Sequence, residues 1–279
     1  MSKVALLAFA RTASTRCPNK VLFDLGGKPA FIHIIERITS VIDPDYVLVA
    51  CNRDARDDPI ELFAKQYGID CFRGGEDSRY RTIAAGHSLG LKNDDIILCS
   101  PCDGVLAVYK YIPYIVEQMD KYDCEVCLVD IPEGTLTWGL SYICQTYSFG
   151  FLVKTGQGVH TVEKSLLAPH AFHLGYHRII RLKFPPEYLV LWPWGQLWLD
   201  WPSQACIIKE IYRQLYRESP IDVFDIYNLM RQQPYFASLI PTEFPEHPKD
   251  HSTGTGDFFG ESRRLGMDII ELTWKGTKI

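Results

Sequence analysis

Apolar segments too short for helices alternate with amphipathic ones through the first half of this chain, and that alternation restricts the available architectures. Val4–Ala10 is one continuous apolar run, and Tyr46–Cys51 (Tyr-Val-Leu-Val-Ala-Cys) is another. Ile69–Phe72, Asp95–Ser100 and Glu125–Ile131 share the character. Between the first two, Pro29–Ser40 places Phe31, Ile32, Ile34, Ile35 and Ile38 at helical spacing behind a proline in the first turn. Pro59–Tyr67 reads as a helix stopped by Gly68, and Ser78–Leu89 and Tyr109–Lys121 read as two more. Strands buried on both faces have near-continuous hydrophobic sequences, and a βαβα order requires a parallel sheet under helices. The expected fold class is therefore α/β, a Rossmann-like three-layer arrangement with a mostly parallel sheet and helices on both faces. Right-handed crossovers then collect the loops at the strand C-termini along one edge, where ligands bind.

The second half is less regular. Leu140–Val153, rich in Tyr, Phe and Cys, suits a smaller antiparallel insertion, and the Trp- and Pro-rich stretch Phe184–Trp201 is too broken for a helix. Pro202–Glu218 and Asp222–Gln233 read as helices, Pro241–Gly260 as loop and Asp268–Trp274 as a last strand. This divides the chain into a main domain over 1–240 and a C-terminal extension over 241–279. The net charge of -5 argues against nucleic acid as a partner, because non-specific binding needs a basic surface. No apolar run approaches the roughly 18–20 residues of a membrane span, and Val4–Ala10 is too short for a signal peptide. A cytoplasmic location is expected, with the nine cysteines reduced. Two pairs, Cys99 with Cys102 and Cys124 with Cys127, have zinc-ribbon spacing. The second pair sits in Asp123-Cys124-Glu125-Val126-Cys127-Leu128-Val129-Asp130, which looks like a strand and would turn the two thiols to opposite faces, so buried structural thiols are the preferred reading.

The segment that carries chemistry follows the first strand. Ala8-Phe9-Ala10-Arg11-Thr12-Ala13-Ser14-Thr15-Arg16-Cys17-Pro18-Asn19-Lys20 sets three cations among small residues at the ligand edge of the sheet. Small side chains, exposed backbone amides and fixed positive charge are what a polyphosphate requires; the alternative is a solvated basic loop. No Walker A sequence is present.

The run A-R-x-x-S-T-R-x-P-x-K-V-L, followed by D-L-G-G-K-P-A, resembles the N-terminal signature of the cytidylyltransferase superfamily, and within it the spore-coat polysaccharide branch. Weaker similarity continues through Asp57-Asp58-Pro59-Ile60, Arg73-Gly74-Gly75-Glu76-Asp77, Asp94 to Asp103, His160-Thr161-Val162 and Leu199-Asp200-Trp201-Pro202. The resemblance implies a nucleotide-diphospho-sugar transferase fold, CTP as donor, Mg2+ as catalytic ion, a sugar-like acidic acceptor and a homodimer, with about 132–190 as the dimerisation and acceptor portion. It places Arg11, Arg16 and Lys20 on the triphosphate, with Lys20, Arg11 and Asp103 as the catalytic set. Ala8, Phe9, Ala10, Ser14, Arg73 and Gly74 fall at nucleotide-binding positions, as does Arg81 with a one-residue gap. Asp103 and Asp200 fall on metal-binding carboxylates, and Gln145 and His160 on acceptor-binding positions.

Hard Mg2+ prefers one or two carboxylates with phosphate oxygens and water, so a matched pair at the ligand edge fits the chemistry; the alternative is that either Asp caps a helix or sits solvated. Several positions depart from the pattern. Phe9 stands where a polar residue is common, Cys17 for Leu, Asn19 for Gly, Val105-Leu106 for a Pro-Leu pair, Gln145 for Glu, and Gln204 for the second Asp of D-x-P-x-D-L. His170, His173 and His177 have metal-like spacing without an acidic partner in the run. Trp192, Trp194, Trp198 and Trp201 could stack on a sugar ring or pack in a core or interface. Competing readings are another nucleotide or a phosphate or phosphonate acceptor, a glycosyltransferase, which would usually carry a D-x-D-like motif, or a catalytically inactive nucleotide-binding scaffold, for which Gln145 and Gln204 speak.

Overall fold

The computed structural model describes residues 2–130, 145–156, 178–183, 197–240 and 267–274. Ten strands are present among them: β1 (Val4–Phe9), β2 (Asp24–Leu25), β3 (Lys28–Pro29), β4 (Tyr46–Asn52), β5 (Asp70–Gly74), β6 (Ile96–Pro101), β7 (Val126–Asp130), β8 (Gln145–Ser148), β9 (Arg178–Lys183) and β10 (Asp268–Thr273). The helices are α1 (Ala30–Thr39), α2 (Asp58–Gln66), α3 (Ser78–Ser88), α4 (Ile112–Tyr122), α5 (Phe149–Gly156), α6 (Pro202–Leu215), α7 (Val223–Gln232) and α8 (Pro234–Ser238). Eight strands form one sheet in the order β10-β9-β7-β8-β6-β1-β4-β5, and β2 and β3 form a small antiparallel ribbon. Every neighbouring pair in the main sheet is parallel except those of β8, which runs antiparallel between β6 and β7.

The expected α/β layering is what the chain adopts, and its cause is visible in β1. Leu6 and Ala8 point into one core layer and Ala5 and Leu7 into the other, all fully buried. Period-two alternation with apolar residues on both faces obliges helices to cover both sides. One layer holds Phe31, Ile34 and Ile38 of α1 with Ile208 and Ile211 of α6. The other holds Ala85 of α3 with Phe149, Phe151 and Leu152 of α5. β1 pairs with β4 on one side and β6 on the other, so the chain winds away in both directions from the end of β1. That reversal opens the crevice where doubly wound sheets bind ligands.

Three expectations need adjustment. Asp268–Thr273, read as part of a C-terminal extension, is the edge strand of the main sheet and pairs in parallel with β9. β5 runs on to Gly74, so Arg73 lies within a strand opposite Cys51 rather than in a loop. Cys124 precedes β7, so the argument that it faces away from Cys127 does not apply; both join the same core layer. Burial pushes the Cys124 thiol up to about 12 and the Cys127 thiol up as well. Among the described residues no helix is long and apolar enough to cross a membrane.

The layer containing α1 and α6 encloses a titratable group. His33 is 3% exposed, donates from Nε2 to the Leu25 carbonyl at 2.6 Å and meets the rings of Tyr212 and Tyr216 edge-on. Burial pushes its imidazole down to about 4. The unfolded chain takes that proton near pH 6.5, so this contribution is fully present above about 6.5 and is lost as pH falls toward 4, at about 1.4 kcal/mol per pH unit. Denaturant unfolding across that window should show a steeper loss for the wild type than for His33→Asn. Parallel pH profiles for the two proteins would refute the assignment.

Candidate active site

The crevice beside β1 is built from four chain segments. The loop after β1 supplies Arg11 to Lys20, the turn after β6 supplies Asp103, the segment before α6 supplies Asp200, and the ends of β4 and β5 flank them. Lys20, in a 3-10 turn (Lys20–Leu22), is the centre of charge. Its Nζ donates to Asp103 Oδ2 at 2.6 Å and to Asp200 Oδ1 at 2.7 Å. Arg16 Nη2 donates to the same Asp200 oxygen at 3.0 Å, and its guanidinium lies over the Trp201 ring. Arg16, Asp200, Lys20 and Asp103 thus form a chain of alternating charge. Burial would depress the Lys20 ammonium, whose side chain is 8% exposed, but the two carboxylates outweigh it and hold it above its ordinary value.

Backbone contacts fix the two carboxylates. The Leu199 amide donates to the Asp103 carbonyl at 3.0 Å, which ties the segment before α6 to the end of β6. Gln204, fully buried, accepts from the amides of Asp200 and Trp201 at 3.2 and 3.0 Å. This is the return half of a capping box, a side chain in the first turn bonding back to the N-cap backbone. Gln204 is therefore a capping residue.

A residue not singled out in the sequence for any role holds the loop. Asp57, 1% exposed, accepts from Thr12 N at 2.8 Å and Thr12 Oγ1 at 2.6 Å through one oxygen. Its other oxygen accepts from Asn52 N at 2.9 Å. The loop is thereby clamped to the end of β4. The sequence signals are its place in the weakly similar stretch Asp57-Asp58-Pro59-Ile60 and its position just before a Pro-initiated helix, which ordinarily means a cap.

The expectation of exposed amides along this loop is only partly met. Ala10 N bonds to Ala50 O, Ser14 N and Asn19 N to Thr12 O, Cys17 N to Ser14 Oγ, and Lys20 N to Cys17 O. The amides of Arg11, Ala13, Thr15 and Arg16 have no internal acceptor among the described residues. Asn19, standing where the family pattern has Gly, adopts φ +58°, a left-handed conformation that Asn tolerates and most residues do not. Cys17, at the position of the family's Leu, is a buried small apolar side chain.

The remaining candidates separate into three groups. Ala8 and Ala10 are buried and Phe9 half-buried at the end of β1, with Ser14 buried beneath the loop. Arg11 is exposed and makes no ion pair among the described residues. Arg81 reaches from α3 to Asn52 Oδ1 and the Gly75 carbonyl at 2.5 and 2.7 Å, while its buried Nε has no partner among the described residues. Burial lowers the Arg81 guanidinium, and the charge of Arg11 adds to that. Gly74 makes room for it, since a Cβ there would stand 2.6 Å from Arg81 Cγ. Arg73 turns away from the crevice: Asp58 and Glu61 bind its Nη1 at 2.5 and 2.8 Å, and these bonds raise its affinity for the proton. Gln145 takes its place in β8 opposite Cys99. Trp198 packs on Gly104. His160, His170, His173, His177, Trp192 and Trp194 lie outside the described residues.

The carboxylate pair suits a hard divalent cation. Oxygens of Asp103 and Asp200 share one nitrogen, a spacing that a single small ion can also bridge, and the buried Asp103 Oδ1 has no hydrogen-bond partner among the described residues. Two carboxylates, with the remaining positions filled by phosphate oxygens and water, match the needs of Mg2+.

Comparisons with known proteins find cytidylyltransferases. Residues 5–142 match the family model described as cytidylyltransferase. The 3-deoxy-manno-octulosonate cytidylyltransferase of a Nitratiruptor species is 33% identical over 124 residues, 43% of this chain and 49% of the relative. The 8-amino-3,8-dideoxy-manno-octulosonate cytidylyltransferase of Shewanella frigidimarina is 34% identical over 98 residues, 34% of this chain and 39% of the relative. The chain spans about half the length, or less, of these curated relatives. A solved cytidylyltransferase from Leptospira borgpetersenii superposes with a TM-score of 0.72 at 19% identity, covering 88% of this chain and all of that one. The synthetase of CMP:2-keto-3-deoxy-manno-octonic acid, solved with CTP, gives 0.55 at 17% identity over 76% of this chain and 99% of that one. The two superpositions establish a shared nucleotide-diphospho-sugar transferase fold. Residues 5–142, which carry the loop after β1 and Asp103, are thus similar to the cytidylyltransferase family over just under half of this chain.

Proposed function

We propose that the protein transfers a cytidylyl group from CTP to a hydroxyl of an acidic sugar. The observation that carries this reading is the Arg16–Asp200–Lys20–Asp103 charge chain at the end of β1. In the reaction the acceptor oxygen bonds to the α-phosphorus, the bridging α–β P–O bond breaks, and its electron pair leaves with pyrophosphate. The hydroxyl proton passes to solvent. Catalysis of such a transfer is largely positioning and charge neutralisation.

This chain's residues divide that work. Arg11 and Arg16 bind triphosphate oxygens through their guanidinium forks, and Lys20 places a point charge on the leaving pyrophosphate. The outward amides of the loop add neutral donors, and Asp57 keeps them in register by holding Thr12. Arg81, with its unpartnered Nε, borders the nucleotide on the β4–β5 side. Asp103 and Asp200 hold Mg2+, which when bound neutralises charge on the phosphates. The named acceptors of the two relatives are octulosonates, so an acidic sugar is the acceptor class this reading favours.

Calorimetric titration with CTP, UTP, ATP and GTP in Mg2+, followed by pyrophosphate release with a panel of acidic sugars, tests the reading. CTP is expected to bind selectively, and one acidic sugar to support turnover that EDTA abolishes and Mg2+ restores. Selective binding of another nucleotide would discard the cytidylyl assignment while keeping the fold. Turnover undiminished in chelator would remove the metal role of Asp103 and Asp200.

A further inference from the structure

Lys20 stands where a bridging cation would stand. Its Nζ makes two short bonds to the carboxylate pair that suits the ion, and both bonds use oxygens that an ion would need. The carboxylates are held by their backbones: Asp103 through the Leu199 amide, Asp200 through Gln204. The ammonium, by contrast, ends a four-carbon stem with several rotatable bonds. Of the three groups, Lys20 is the one able to move. An ammonium and a divalent ion cannot share this position, because they compete for the same lone pairs and repel one another.

We propose that Lys20 is a resident counter-ion for the Asp103–Asp200 seat in the ligand-free protein, displaced when the divalent cation enters. This rests on the reading that the crevice takes such a cation with its nucleotide. Without a cation between them, two partly buried carboxylates would face each other with only Arg16, on the outer side of Asp200, to offset their charge; Lys20 neutralises the pair from within and keeps the seat assembled. Entry of the cation frees the ammonium, so loading of the seat and delivery of a positive charge to the phosphates become one event. Asp103 Oδ1, buried and unpartnered beside the bridging ammonium, is the acceptor that only the incoming ion would use.

The test measures Mn2+ binding by electron paramagnetic resonance on the full chain without nucleotide, so it does not depend on which nucleotide the enzyme uses. Lys20→Met, which keeps the stem and removes the charge, is expected to bind Mn2+ more than about tenfold tighter than wild type. Arg16→Met removes an equal charge from the outer side of Asp200 without vacating the seat, and should gain far less. Melting temperatures should follow: Mn2+ raises that of Lys20→Met more than that of the wild type. Equal gains in the two variants, or weaker binding by Lys20→Met, would overturn the proposal. If Lys20→Met does not fold in chelator, wild-type crystals soaked in Mn2+ decide the matter. The ion should bridge Asp103 and Asp200 with Nζ withdrawn; Nζ still bridging them would refute displacement.

Discussion

Lys20→Met is expected to lower turnover about 10²–10³-fold while the protein stays folded in the presence of Mg2+, because a preorganised positive donor aimed at developing charge is worth that much. The loss should fall mainly on kcat. Arg11 and Arg16 still bind the ground-state triphosphate, but the charge on the departing pyrophosphate loses its stabiliser. Stability will also drop in chelator. Removing one partner of a buried pair costs about 3–5 kcal/mol, and the carboxylates here are 21% and 18% exposed, so solvent relieves part of it. Steady-state kinetics with circular dichroism checks both halves. A folded Lys20→Met that turned over within about threefold of wild type would refute the role of Lys20 on the leaving group.

Asp57→Ala is the second large effect, and it should appear in a different parameter. Asp57 touches no substrate in this scheme; it is a positioning residue whose carboxylate satisfies Thr12 N, Thr12 Oγ1 and Asn52 N. Thr12 Oγ1 can still donate to the Arg56 carbonyl, so the loss leaves the Thr12 and Asn52 amides unpaired, at an expected cost of about 2–3 kcal/mol. The loop after β1 would lose its clamp to β4, so KM for the nucleotide should rise about tenfold or more with a smaller change in kcat. Asp57→Asn keeps one acceptor oxygen and should fall between. A variant with unchanged KM and a stability loss below about 1 kcal/mol would show that the clamp does not set the loop.

Much of the architecture was legible in the chain. The apolar runs of β1, β4 and β6 and the helical stripe of α1 are local signals, since side-chain period follows directly from backbone conformation. Two element ends differ from the sequence reading, one for a local reason and one for a tertiary reason. α4 begins at Ile112 rather than Tyr109, with Pro113 in its first turn, where a missing N–H is harmless. β5 extended to Gly74 because Cys51 and Asn52 of β4 provided pairing partners for Arg73 and Gly74. Less legible was the partition of the tail. Nothing local in Asp268–Thr273 says that it completes the main sheet beside β9, because strand neighbours are chosen by which edge is open after the rest has folded.

The candidate site divides in the same way. The basic loop after β1 and an Asp shortly after β6 could be read in order, because position relative to a strand end already says which edge of the sheet a residue occupies. That Lys20 bonds Asp103 and Asp200, 83 and 180 residues away in sequence, could not be. Nor could the sequence show that Asp57 would turn inward to Thr12, or that Gln204 would hold Asp200 by its backbone. Residue type and period determined the layers and the ligand edge, since those depend on neighbours within a few residues. Only the tertiary structure decided which charges meet, because crossovers and helix packing bring distant segments together at distances no local pattern encodes.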